Sequence, residues 1–239
     1  PLNVMTSLVM AFTLGLGIAN LNAQSLKDMF GEFRDIITKT IQVVVLPLLP
    51  IYIFGIFFNM THSGEVFKVL TMFVKIIGVI FVMHIFLLLF QYAIAGIFAK
   101  KNPLRLLSRM MPAYFTALGT QSSAATIPVT LRQTILNGVN KDIAGFVIPL
   151  CATIHLSGST MKIVACAIAL MMMQGIGYDF QSIAGFIFML GITMVAAPGV
   201  PGGAIMAALG ILSSMLGFDD KSLALMIALY IAMDSFGTA

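Results

Sequence analysis

Residues 149–162 read PLCATIHLSGSTMK. They lie inside an apolar segment, 143–176, that is long enough to cross a bilayer, yet the middle of the stretch is polar. His155, Ser157, Gly158, Ser159, Thr160 and Lys162 stand where an uninterrupted membrane helix carries Leu and Val. Backbone groups released by such a break find no partner in lipid, so the break is tolerated only against protein or a water-filled cavity. An ionisable residue at that depth is a functional candidate by default. The rest of the chain is therefore expected to converge on this break.

Composition supports that setting. Of 239 residues, 59% are hydrophobic and 9% charged, and the mean hydropathy is +1.04. Soluble domains carry about 25% charged residues, so an all-α, multi-pass protein of the cell membrane is expected, with the bilayer as its surroundings. The net charge of +4 is better read through loop placement than as a footprint for nucleic acid, and no nucleic-acid partner is expected. Cys151 and Cys166 both sit in apolar segments, which implies neither a disulfide framework nor metal-ligand spacing. The chain opens and stops inside apolar segments and reads as a piece cut at both ends.

Working outward, residues 1–65 hold apolar runs at 1–21 and 36–58. A polar stretch at 22–35 between them is expected as a loop or interfacial turn, and Pro47 and Pro50 suggest a kinked second helix. Asn59 to Glu65 reads as a short polar turn. It contains Asn59-Met60-Thr61, a sequon pattern that carries little weight alone. Residues 66–109 comprise a long apolar run and a basic loop with Lys100, Lys101, Arg105 and Arg109, which the positive-inside rule places in the cytoplasm. Lys75 is expected to snorkel to a membrane face, and His84 to be a packed histidine.

From 110 onward the pattern changes. A spanning helix needs about 20 apolar residues. Residues 110–137 instead show two shorter arms around the hydroxyl-rich tip TQSSAAT, and 184–216 repeat the arrangement around AAPGVPGG. Both read as re-entrant hairpins. The broken helix 143–176 lies between them, and the segment 223–239 carries Asp234 in apolar surroundings. Paired interrupted segments in two halves point to the binding site of a transporter.

The tips SSAATIPVT and APGVPGG, the polar break and the late Asp resemble the dicarboxylate/amino acid:cation symporters, which include glutamate and neutral amino acid carriers. The match covers nearly the whole chain and implies that the first three helices and the end of the last are missing. It implies a homotrimer whose scaffold stays fixed while the core 110–239 of each protomer moves like an elevator. It places the α-carboxylate of the substrate at Ser123, in a tip where Ser122, Ser123 and Ala124 replace the usual serine triplet. It places further contacts at Leu156, Gly199, Val200 and Thr238, and the α-amino group at Asp234. The side-chain-selecting position matches Gly237, where carriers of acidic amino acids have Arg. Gln121 is not basic either, so a neutral amino acid is expected.

For sodium, the resemblance implies the backbone of Cys151, Thr153, Met194, Val195 and Ala197, together with position 155. The family signature at the break is Asn-Met-Asp-Gly-Thr. This chain has His155-Leu156-Ser157-Gly158-Ser159, so the sodium-holding Asn and Asp are gone while Ser159 retains a hydroxyl. His155, Ser159 and Lys162, spaced i, i+4 and i+7, would share one face of a continuous helix. Lys162 or a protonatable His155 is thus a candidate to replace a coupling cation. The alternative is that Lys162 pairs with Asp234 and His155 is an interior histidine. Sodium, protons or both are the expected coupling ions, and no cofactor is expected.

Burying Asp234 in an apolar helix costs roughly 2.5–3.5 kcal/mol on insertion scales, and a substrate ammonium is a natural partner for it. A channel along the same interface is the competing function. An enzyme is not expected: no HExxH or GxSxG motif occurs, and His155 and Ser157, at i and i+2, do not face each other on a helix.

Overall fold

Most helices of the second half begin on a residue that satisfies their own free N–H groups. The computed structural model describes residues 4–40, 43–44, 46–62, 64, 66–197 and 199–239, and every regular element among these is helical. Asn102 accepts from the N–H groups of Leu104 and Arg105, with Pro103 at the first helical position, and so starts α5. The preceding elements are α1 (Val4–Leu21), α2 (Gln24–Thr40), α3 (Leu46–His62) and α4 (Val66–Ala99), and α5 itself is Pro103–Thr120. Ser122 caps α6 (Ser123–Leu136), and Asn140 caps α7 (Lys141–Ile154). Asp179 and Asp219, each followed three residues later by a serine whose N–H it accepts, cap α9 (Phe180–Val195) and α11 (Asp220–Ala232). The remaining helices are α8 (Ser157–Gln174), α10 (Gly203–Leu216) and α12 (Asp234–Thr238); these three start without a side-chain cap. All three begin at interruptions rather than at the outer turns.

Several expectations change. The polar stretch 22–35 is not a loop: Gln24–Thr40 is helical. Leu26, Met29, Phe30, Phe33 and Ile37 recur at helical spacing, which makes it amphipathic. Pro50 falls inside α3, and Asn59–His62 complete that helix rather than forming a turn. Ser63 and Glu65 of the expected turn, and Pro198 of the second tip, lie outside the described residues. The first hairpin arm starts at Pro103, not 110, because the Asn102 cap opens the helix inside the basic loop. At 18 residues, α5 is about 27 Å long, close to the hydrocarbon thickness of about 30 Å, so length does not mark it as a half-helix. The final segment is also interrupted, at Met233.

Val69–Ala99 and Lys141–Gln174 are long and apolar enough to cross a membrane, the second with its break at 155–156. The α5–α6 and α9–α10 pairs pack along each other. The core lies among α4, α8, α9, α10 and α11, around Ile163, Cys166, Phe186, Leu190, Ile205, Leu212 and Met226. Residues 224–230 of α11 are buried on every face, as expected for the central helix of a bundle. By contrast α1, α3 and the outer face of α4 expose large apolar side chains such as Phe12, Phe54, Val74 and Phe86. Their natural solvent is lipid.

Candidate functional site

Four interruptions meet: the turns before α6 and α10, the break between α7 and α8, and the break before α12. Ser122 Oγ donates to the Gly199 carbonyl at 2.9 Å, and the Ala124 N–H donates to the same oxygen at 3.3 Å. Gly199 lies close to α7, where a Cβ would come within 3.1 Å of the Ala152 carbonyl oxygen. At the start of α8, a Cβ on Gly158 would stand 2.6 Å from the Gly237 carbonyl oxygen of α12. Only glycine allows that approach of two backbones. The Gly202 N–H donates to Asp234 Oδ2 at 2.7 Å, and Gln121 Nε2 donates to Ser235 Oγ at 2.9 Å. Both turns are therefore fastened to α12. Gly202 has φ +70°, a left-handed conformation that aims its N–H at the carboxylate and disfavours other residues.

Lys162 completes the cluster. Its Nζ donates to Asp234 Oδ1 and to the Met233 carbonyl, both at 3.2 Å, and sits 3.4 Å from the centroid of the Tyr230 ring. Tyr230 Oη in turn donates to Ser159 Oγ at 2.9 Å. Lys162, Asp234, Ser159 and Tyr230 are all buried. A carboxylate, an ammonium, an aromatic face and a hydroxyl pair thus satisfy one another away from water, as buried charges require.

His155 does not join them. The chain leaves helical geometry at 155–156, so His155 ends α7 as an exposed residue while Ser159 and Lys162 turn inward on α8. The break rotates one half-helix relative to the other, and the face expected of a continuous helix does not form.

The expected substrate contacts are divided among neighbouring spaces. Ser123, Cys151 and Thr238 line a cavity of about 250 Å³ with Tyr114, Thr126 and Thr130. Asp234, Gly202 and Gln121 line another of about 650 Å³ with Phe54 and Phe57. Gly237 and Thr238 reach a small space of about 110 Å³ with His84, His155 and Gly158. Leu156 and Val200 are half-buried, Leu156 at the N-cap position of α8.

Of the residues expected to hold sodium, Met194 and Ala197 are buried, and Thr153 and Val195 exposed. The Cys151 carbonyl accepts the His155 N–H, and the Met194 carbonyl that of Ala197. The Met194 carbonyl also accepts the Ala196 N–H, so of these two only the Cys151 oxygen keeps a lone pair for an ion. Among the described residues no cluster of three or more His, Cys, Asp or Glu could hold a metal.

Two participants, Tyr230 and Gln91, were not singled out from sequence, whereas His84 was expected only as a packed histidine. Tyr230 precedes Asp234 by one helical turn, a spacing that could have flagged it. His84 and Gln91 are i and i+7 on α4 and face the site. His84 Nε2 lies 3.0 Å from Tyr114 Oη, its ring lies 5.9 Å from that of Phe236, and Gln91 Nε2 donates to Ser157 Oγ at 3.3 Å.

The family described as "Sodium:dicarboxylate symporter family" matches residues 2–239. This chain belongs to that family. Human "Excitatory amino acid transporter 2" is 28% identical over 235 residues, covering 96% of this chain and 40% of the relative. Mouse "Excitatory amino acid transporter 3" is 26% identical over 242 residues, covering 99% and 46%. Mouse "Neutral amino acid transporter B(0)" is 31% identical over 133 residues, covering 55% and 24%. The chain therefore spans less than half the length of these relatives. The family and these relatives are membrane transporters and not enzymes.

Proposed function

We propose that the chain forms the substrate-binding core of a secondary symporter for a small neutral amino acid, coupled to sodium, protons or both. The observation that carries this reading is Asp234. It is the buried carboxylate at which α8, α12 and the turn before α10 meet. A buried carboxylate is a natural receptor for an α-ammonium, and the uncapped starts of α8 and α10 present N–H groups suited to a carboxylate. Substrate contacts run from Ser122 and Ser123 through Leu156 and Ser159 to Gly199, Val200, Gly237 and Thr238. Sodium is held by carbonyls of the α7 end and of residues 194–197. Family membership supports a homotrimer in which α5–α12 move as an elevator, with the two helix pairs acting as re-entrant hairpins.

Charge supports a neutral substrate. Gly237 supplies no cation, and the charge of Lys162, the nearest one, is offset by Asp234. One observation favours a second reading. Lys162 Nζ lies 2.8 Å from where a Gly237 Cβ would stand, close enough to the selecting position to meet the distal carboxylate of an acidic substrate. Counterflow by the full protein in proteoliposomes decides. Accumulation of labelled L-alanine against interior unlabelled L-alanine is the expected result. Counterflow of L-glutamate alone supports the second reading. Ion flux without counterflow of either amino acid identifies a channel and overturns both.

A further inference from the structure

We infer that Lys162 is a built-in counter-cation for Asp234: its ammonium neutralises that carboxylate whenever the substrate ammonium is away, so the carrier completes its cycle without exporting a metal cation. The inference rests on the carrier reading above.

Lys162 is 0% exposed and held on three sides, by Asp234 Oδ1, by the Met233 carbonyl and by the face of Tyr230. Asp234 has one negative charge. Its other oxygen takes the Gly202 N–H, so the same carboxylate also holds the turn before α10. Two ammonium groups beside one buried carboxylate leave an uncompensated positive charge, which the apolar surroundings penalise heavily. The substrate ammonium and Lys162 therefore compete for Asp234.

The lysine is built to move aside. Its charge lies at the end of a flexible four-carbon stem with rotatable donors. Gly237 offers no side chain against Nζ and Cε, which would stand only 2.8 and 3.2 Å from a Cβ there. When the substrate leaves, the lysine returns, and the carboxylate is never left buried and unpaired. Without a lysine at 162 the same state needs a small cation from solution. The gap is thus filled by a residue of α8, the half-helix that begins within the altered signature 155–159.

The test uses the full protein in proteoliposomes with labelled L-alanine outside. Interiors contain N-methylglucamine, potassium or sodium, either without amino acid, which reports net uptake, or with unlabelled L-alanine, which reports exchange. The unmutated protein is expected to show net uptake indifferent to the interior cation. Lys162→Gln is expected to lower net uptake relative to its own rate of exchange by about tenfold or more with N-methylglucamine inside, and to recover that ratio with potassium or sodium. Lys162→Arg, which keeps the charge, is expected to restore net uptake with N-methylglucamine inside.

Equal net uptake and exchange by Lys162→Gln in N-methylglucamine overturns the inference. If Lys162→Gln does not fold, the unmutated protein decides: net uptake that requires interior potassium or sodium overturns the inference, and indifference supports it. Exchange of L-glutamate alone, abolished by Lys162→Gln, assigns the lysine to a distal carboxylate and also overturns it. No exchange of either amino acid by the unmutated protein overturns the carrier reading, and this inference with it.

Discussion

Lys162 of α8 and Asp234 of α12 form an ion pair of 3.2 Å between residues 72 positions apart, with both side chains buried. The pair joins two half-helices, each of which begins at an interruption. It also carries the turn before α10, through the Gly202 N–H.

Breaking the pair from either side strands a buried charge. Lys162→Met and Asp234→Asn are each expected to lower stability by about 3–5 kcal/mol. The double variant is expected to cost clearly less than the sum of the two, because no charge is then left uncompensated. Thermal unfolding of the purified protein in detergent measures the cycle. Additive losses would show that the two charges do not stabilise each other.

Tyr230 acts through both its ring and its hydroxyl. Tyr230→Phe keeps the ring under Lys162 and removes the hydrogen bond to Ser159, for an expected loss of about 1 kcal/mol. Tyr230→Leu removes the aromatic face as well and is expected to cost about 2 kcal/mol more. In a Lys162→Met background the cation–π part of that difference should vanish. If the gap between the two variants persists unchanged there, the ring serves packing alone.

Two glycines in the broken helix separate close approach from helix propensity. A Cβ at Gly158 meets backbone, the Gly237 carbonyl at 2.6 Å, whereas a Cβ at Gly145 meets nothing within 4 Å. Gly158→Ala is expected to destabilise by about 1–3 kcal/mol, since no rotamer change relieves the clash. Gly145→Ala, within α7, is expected to be neutral or stabilising by up to about 1 kcal/mol. Similar melting temperatures for the two variants would mean that α8 and α12 do not meet as described.

Asp219 provides a pH-dependent cap outside the apolar segments. The hydroxyl and N–H of Ser222 both donate to its carboxylate, at 2.5 and 2.8 Å, and hold its pKa below the usual carboxylate value. A carboxyl group whose pKa is lowered on folding stabilises above its unfolded pKa and loses that contribution as the pH falls through its folded value. Asp219→Ala is therefore expected to cost about 1 kcal/mol at neutral pH, and the difference from the unmutated protein should shrink as acid protonates Asp219. A difference in melting temperature that stays constant down to strong acid would rule out the ionised cap.

Much of the site was legible before folding because polar residues are conspicuous in an apolar chain. Asp234, Lys162 and the tips at 120–126 and 196–203 stood out for that reason, although Ser123 to Thr126 of the first tip belong to α6. The break at 155–156 was legible as well, within a segment placed at 143–176 and found at 141–174. The start of α5 was not, because a local cap at Asn102 competes with basic character in setting that boundary. The helix at 24–40 was misjudged from its polarity, although its apolar residues recur at helical spacing.

The order of the chain alone thus established a membrane protein of this family, with interrupted helices and a buried acid. It left open whether Lys162 or His155 stands in for a coupling cation, or whether Lys162 pairs with that acid and His155 lies in the interior. Only folding decided. Releasing two residues from helical geometry turned His155 outward and set α8 with Lys162 pointing at Asp234. That choice depends on the rotation between two half-helices, which is set by what packs against each of them and has no signature in local spacing.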